Sequence, residues 1–181
     1  MKLHKAQLFD YGIQNEDSHI RAHVCPQVKR VYIYPTSEGI RALSNGREAY
    51  GYQPGVAEPT AKGYLVEPFK IGKCLALQIN NRVWEHFKFQ ENETTTEKGR
   101  KAVKLVVSMI KEGLFPLPTA IIANADLSKN IQVKGDDVIV WTQKACIKIQ
   151  VKCDFRGGEK QLGGTGYLYL QTAERNPLKY F

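Results

Sequence analysis

The chain has 181 residues, a formal net charge of +8 and 43% hydrophobic residues. This length predicts one large domain, or a core with an N-terminal extension, that buries its apolar side chains without help from disulfides. No apolar run approaches the roughly 18 residues that a membrane-spanning helix requires, and the N-terminus has no signal-peptide apolar region. We therefore expect a cytoplasmic protein without a membrane span. The excess of Lys and Arg, spread evenly along the chain, favours polyanionic partners such as nucleic acid.

The spacings of histidine and cysteine residues give only a weak indication of a metal site. His19 and His23 are four residues apart, as two metal ligands on one helix would be, but no third ligand accompanies them. The four cysteines are Cys25, Cys74, Cys146 and Cys153, and no two of them form a C-x-x-C pair. This favours free buried thiols in a reducing compartment.

The N-terminal region, residues 1–90, has the pattern of strands and loops. Residues 28–34 predict a strand that is closed by Pro35. Residues 39–63 are rich in Gly and Pro and predict loops or short strands, and residues 73–79 predict another strand.

The clearest helix begins near Thr94 and runs to about Lys111. Apolar residues recur within it at helical spacing on one face. Thr94 and Glu97 form a T-x-x-E capping box, which satisfies amide donors at the helix start. Gly113 then follows the last turn, where glycine commonly ends a helix.

After this helix the pattern becomes β-like. Thr119–Ala123 is a short apolar run, residues 131–142 and 145–154 predict a hairpin with its turn near 143–144, and Tyr167–Gln171 predicts a final strand. The sequence as a whole predicts an α/β (α+β) fold with a mixed sheet. A core in residues 91–181 would carry a β-rich N-terminal region packed on it.

The second strand of the predicted hairpin has two different faces, because successive side chains of a strand alternate. The apolar face is predicted to contact the core: Ile147, Ile149, Val151 and Cys153. The polar face is predicted to be exposed: Lys148, Gln150, Lys152 and Asp154. Asp137 opens the preceding strand, so the hairpin is expected to bring it opposite Gln150 or its neighbours.

This arrangement resembles the restriction-endonuclease-like superfamily, also called the PD-(D/E)XK nucleases. In that family an acidic residue opens one strand of a hairpin, and the next strand carries an acid or glutamine, one apolar residue and then lysine. The resemblance covers roughly residues 94–172. It implies a restriction-endonuclease-like core and a DNA endonuclease that hydrolyses phosphodiester bonds with Mg²⁺ or Mn²⁺. A homodimer would suit the cutting of two strands.

The resemblance implies a role for each residue of the pattern. Asp137, the Gln150 amide oxygen and the Val151 carbonyl would bind the metal, since Mg²⁺ prefers oxygen ligands. Lys152 would orient or deprotonate the attacking water, and Glu97 would be the glutamate that the family's upstream helix often supplies. Glutamine in place of the second acid removes one negative charge from such a site.

Four cations are candidates for contact with DNA. Lys148 and Arg156 flank the proposed catalytic positions, while Lys29 and Arg30 belong to a segment that interleaves cations with aromatic residues. Such surfaces bind phosphates and stack bases.

Several alternatives stay open at the level of sequence. The tripeptide Q-V-K occurs three times, at 27–29, 132–134 and 150–152, so a plain amphipathic strand also explains the third copy. Asp136 competes with Asp137 as the metal ligand. The alternative functions are a catalytically degenerate nuclease fold that binds DNA or a protein partner without cleavage, and an unrelated β-rich interaction domain.

Overall fold

The computed structural model describes residues 18–51, 61–115, 121–122, 137–142 and 146–173. In these ranges the chain has a mixed α+β fold, as the sequence predicts. The helices are α1 (Thr36–Ala42), α2 (Asn81–Phe87) and α3 (Thr95–Lys111). The strands are β1 (Ser18–Cys25), β2 (Arg30–Pro35), β3 (Arg47–Gly51), β4 (Ala61–Val66), β5 (Leu75–Gln78), β6 (Ile121–Ile122), β7 (Val138–Thr142), β8 (Cys146–Cys153) and β9 (Leu168–Ala173).

The strands form two sheets. The larger has the order β5-β2-β1-β8-β7-β6, in which β1 and β8 are parallel and all other neighbours are antiparallel. The smaller is antiparallel, with the order β3-β4-β9. Because β1 lies beside β8, strands from both halves of the chain share the larger sheet.

Most of the predicted elements are present. The predicted hairpin is β7 with β8, and the predicted strands near residues 28–34, 73–79 and 167–171 are β2, β5 and β9. The predicted turn of this hairpin, at 143–144, lies outside the described residues, and so does Asp136. Three elements were not predicted, namely α1, α2 and β1. The His19–His23 spacing therefore lies on a strand, not on a helix.

Helix α3 begins as its sequence predicts. The Thr94 hydroxyl accepts a hydrogen bond from the Glu97 amide at 3.1 Å, and the Glu97 carboxylate accepts one from the Thr94 amide at 3.3 Å. Gly113 follows the helix with a φ of +72°, a left-handed conformation that favours glycine. No helix in the described part of the chain is both long enough and apolar enough to cross a membrane.

The main core lies between α3 and one face of the larger sheet. The predicted apolar face of β8 contacts this core, together with the apolar residues of β1 and β7. The buried residues of α3 in this cluster are Ala102, Leu105, Val106, Met109 and Ile110, and those of the three strands are Ile20, Ala22, Val24, Val138, Val140, Ile147, Ile149 and Val151.

A second apolar cluster lies on the opposite face of the larger sheet. Tyr32 and Tyr34 of β2 pack there with Val66, Leu168 and Leu170 of the smaller sheet. Both faces of the central strands are therefore covered, which is the usual situation of parallel strand pairs.

We expect truncation of the α3 core face to be costly. Leu105 is fully buried between α3 and the sheet, so Leu105→Ala removes apolar contacts and leaves a cavity. The free energy of unfolding in urea should fall by about 2–5 kcal/mol. Lys111→Ala, an exposed change on the same helix, should alter it by less than about 0.5 kcal/mol. A Leu105→Ala effect as small as that of the control would contradict this account of the core.

Candidate functional site

Asp137 lies directly before β7 and is held against β8 by two hydrogen bonds. Its amide donates to the carbonyl of Ile149 at 3.0 Å, and its Oδ2 accepts from the amide of Val151 at 2.8 Å. Ile149 is also the register partner of Val138. Two successive residues of one strand thus face one residue of the other, which is the pattern of a β-bulge.

This bulge determines where the Asp137 side chain lies. A bulge redirects side chains relative to regular alternation, and Asp137 lines a cleft on the α3 side of the sheet. In a regular hairpin it would share a face with Gln150. The expectation that Asp137 and Gln150 project from one exposed face is therefore corrected, because the backbone offset turns Asp137 towards α3.

The Val151 peptide lies next to Asp137, along the edge of β8 that faces β7. In an antiparallel ladder the amide and the carbonyl of one residue point to the same neighbouring strand. The Val151 amide points to Asp137, so the Val151 carbonyl also points to the β7 side of β8. Two possible oxygen ligands of a metal ion, the anionic Asp137 carboxylate and the neutral Val151 carbonyl, consequently lie along the same strand edge.

The cleft beside this edge has a volume of about 430 Å³. One wall is the edge formed by Asp137 and Val151, and the other is the first half of α3. The α3 residues that line it are Thr96, Gly99, Arg100, Val103 and Lys104. The sequence alone gives no reason to place three of these residues near Asp137, namely Gly99, Arg100 and Lys104.

Gln150 and Lys152 lie on the other face of β8. Since Val151 packs towards α3, the residues on either side of it project away from α3. The parallel register places Gln150 beside Arg21 and Lys152 beside His23 of β1. Both β8 side chains are half-buried there, so the prediction of an exposed face is corrected. The second apolar cluster on this side of the sheet explains the partial burial.

His23 is buried on that face, with 1% of its surface exposed. Its Nε2 and the Tyr34 hydroxyl form a hydrogen bond of 2.5 Å. Its Nδ1 lies 3.9 Å from Asp154 Oδ2, too far for a direct hydrogen bond, and has no partner in the described structure. Asp154 Oδ2 instead accepts from the Tyr169 amide at 2.8 Å.

Burial lowers the pKa of His23, even though the Asp154 carboxylate raises it. The positive charges of Arg21 and Lys152 lower it further. His23 is therefore a neutral imidazole in the folded protein near pH 7, because a proton there would lose its hydration.

Glu97 has a structural role in this arrangement. Its carboxylate is exposed and is bonded to the Thr94 amide in the capping box, and it is not among the residues that line the cleft. The structure therefore places Glu97 in the capping box and not in the lining of the cleft that holds Asp137.

None of the four cations expected to bind DNA lines the Asp137 cleft. Arg156 forms an ion pair with Glu91, and the Lys29 ammonium lies 5.0 Å from the centre of the Trp84 ring. Arg30 donates to the carbonyls of Val28 and Lys29. Lys148 is half-buried on β8, beside His19 of β1.

The cysteines are free thiols. Burial raises the pKa of Cys74 and of Cys153 to about 12, and it raises the pKa of Cys25 as well. These thiols are therefore protonated and poor nucleophiles near pH 7. Within the described ranges, no three His, Cys, Asp or Glu side chains gather into a group suited to a metal ion.

Comparison of the chain with protein-family models, with curated proteins and with solved structures gives no match. The functional argument therefore depends on the geometry of the cleft and its edge.

The buried imidazole predicts a specific loss of stability in acid. The ordinary pKa of histidine is 6.5, and the folded-state pKa of His23 lies below it. Below about pH 6.5 the unfolded chain binds a proton that the folded chain excludes. Stability is thus complete above pH 6.5, falls as the pH drops towards the folded-state pKa, and levels off beneath it.

Urea unfolding of the wild type and of His23→Gln between pH 8 and pH 5 measures this contribution. Glutamine can keep a bond to Tyr34 but does not titrate, so the variant should lose less stability over this interval. The His23 contribution to the slope reaches at most about 1.4 kcal/mol per pH unit. Parallel stability curves for the two proteins would exclude His23 as the titrating group.

Proposed function

We propose that this chain is a DNA endonuclease that hydrolyses phosphodiester bonds with Mg²⁺ or Mn²⁺. The observation that carries the proposal is the pairing of the Asp137 carboxylate with the Val151 peptide at a strand edge that opens into a cleft. An acidic residue at the start of one hairpin strand, next to Gln150-Val151-Lys152 on the other, is also the pattern of the nuclease superfamily that the sequence resembles.

The residues at this edge suit a hard divalent cation. Mg²⁺ prefers oxygen ligands and is commonly held by one or two carboxylates, with waters and substrate phosphates completing its shell. The Asp137 carboxylate and the Val151 carbonyl are donors of this kind, and a protein cage of three acidic or imidazole ligands is not required. Such a cation would supply charge stabilisation and a more acidic bound water.

The chain's own groups would do the remaining work. Asp137 is oriented by the Val151 amide, so its carboxylate is held in place before a ligand arrives. Gln150 and Lys152 lie on either side of Val151 along β8 but project from the opposite face, so neither side chain is assigned a role at the cleft.

The test is nicking of supercoiled plasmid with Mg²⁺, with Mn²⁺ and with EDTA. Asp137→Asn keeps the size of the side chain but removes its charge. It should lower the nicking rate on the order of 10²–10³-fold, the usual cost of one preorganised charge contact. Glu85→Gln and Lys111→Ala, two exposed changes away from the cleft, serve as matched controls and should cut normally. Metal-dependent nicking that survives Asp137→Asn would refute the proposed centre.

A second candidate function is DNA binding without cleavage. It is favoured by the projection of Gln150 and Lys152 away from α3 and by the use of Glu97 in the capping box. In that case the wild type would retard duplex DNA in a salt-sensitive manner and leave plasmid intact with either metal.

A further inference from the structure

The cations between Lys98 and Lys104 on α3 differ in their charge pairing. The neighbouring cations are engaged, since Lys101 forms an ion pair of 2.7 Å with Glu93 and Lys98 donates to the Glu91 carbonyl at 2.7 Å. Arg100 and Lys104 are exposed and form no ion pair or hydrogen bond with any described residue, although both line the cleft. Two unpaired cations one helical turn apart repel each other, so their position stabilises nothing within the helix.

Gly99 adds an independent observation on the same wall. Glycine inside a helix is unfavourable relative to alanine, and here neither packing nor backbone conformation requires it. A Cβ at Gly99 would meet no atom of the described residues within 4 Å, so the missing side chain leaves open space beside them along the cleft. A glycine that only leaves space next to two unpaired cations suits close approach of an anionic ligand to the helix.

We infer that this wall of α3 binds the sugar–phosphate backbone of DNA. Arg100 and Lys104 contact successive phosphates, and Gly99 leaves room for the strand to reach the Asp137 edge. The inference rests on DNA being the ligand of the proposed function, and it assigns binding to residues separate from those proposed to act on the scissile bond. Lys29, Arg30, Lys148 and Arg156 are then not the main phosphate contacts.

The experiment is a salt titration of binding to a fluorescein-labelled 20-base-pair duplex, followed by anisotropy in EDTA so that no cleavage occurs. Arg100→Gln/Lys104→Gln should reduce the slope of log K against log salt by about 2, as expected when two phosphate contacts are lost. The control is Arg82→Gln/Lys111→Gln, which removes the same charge away from the cleft and should keep the wild-type slope. An equal change in both double variants, or no change in either, would overturn the inference.

Gly99→Leu tests the open space without altering charge. Leucine is a far better helix former than glycine, so the thermal midpoint of the variant should rise. Its affinity for the duplex should nevertheless fall at least tenfold, because the side chain occupies the strand's path. Wild-type affinity in this variant would overturn the role given to Gly99.

The two proposals fail in different ways. If the wild type never nicks plasmid but its binding depends on Arg100 and Lys104, the endonuclease proposal fails and the binding surface stands. If the wild type nicks DNA while Arg100→Gln/Lys104→Gln binds and cuts normally, the binding surface fails and the endonuclease proposal stands.

Discussion

The parallel pairing of β1 with β8 is the constraint on which the rest of the structure depends. It joins a strand near the start of the chain to one near its end, with Ser18 beside Ile147 and Val24 beside Cys153. Since both strands lie in the middle of the larger sheet, each of their faces must be covered. Helix α3 covers one face, and the smaller sheet contributes to the cover of the other.

This constraint explains the environment of the polar face of β8. Lys152 lies beside the buried His23 and cannot be fully solvated. Buried polar groups need partners, and His23 has one in Tyr34 while its second ring nitrogen has none among the described residues. The face is thus a partly enclosed polar layer between two apolar clusters.

Patterns within a few consecutive residues predict the helices and strands whose formation depends on contacts between near neighbours in the sequence. The capping box of Thr94 and Glu97 is read from four consecutive residues, and it forms as predicted. The alternation of β8 likewise predicts which side chains contact the core, since it needs only the period of a strand. The length of α3 follows from its apolar spacing and from Gly113 beyond its end.

The features that escape sequence reasoning depend on distant parts of the chain. Residues 18–25 alternate as a strand should, but His19 and His23 also have the spacing of one helix face, and only pairing with β8 decides between them. The bulge at Asp137 is an offset of one residue in a backbone ladder, which side-chain patterns do not encode. Knowing that Arg100 lies across a cleft from Asp137 further requires the packing of α3 on the sheet.

The charges around the cleft relate the proposed metal-dependent centre at Asp137 to the proposed DNA-binding wall of α3. A phosphate placed 4 Å from the Asp137 carboxylate would be repelled by about 4 kcal/mol at an effective dielectric constant of 20. DNA can approach this edge only if positive charge offsets that repulsion. In the proposed complex a divalent cation at the carboxylate would offset it at the reacting phosphate, and Arg100 and Lys104, which line the same cleft, would offset it for the flanking strand.

The acidic groups before and at the start of α3 fit this reasoning. Glu93 is neutralised by Lys101, Glu91 by Arg156, and Glu97 is bonded within the capping box. These carboxylates therefore oppose a polyanion less than their number suggests, while no acidic partner of Arg100 or Lys104 is found among the described residues. If α3 served only to supply its apolar face, pairing those cations or replacing Gly99 would stabilise it, and among the described residues neither change is found.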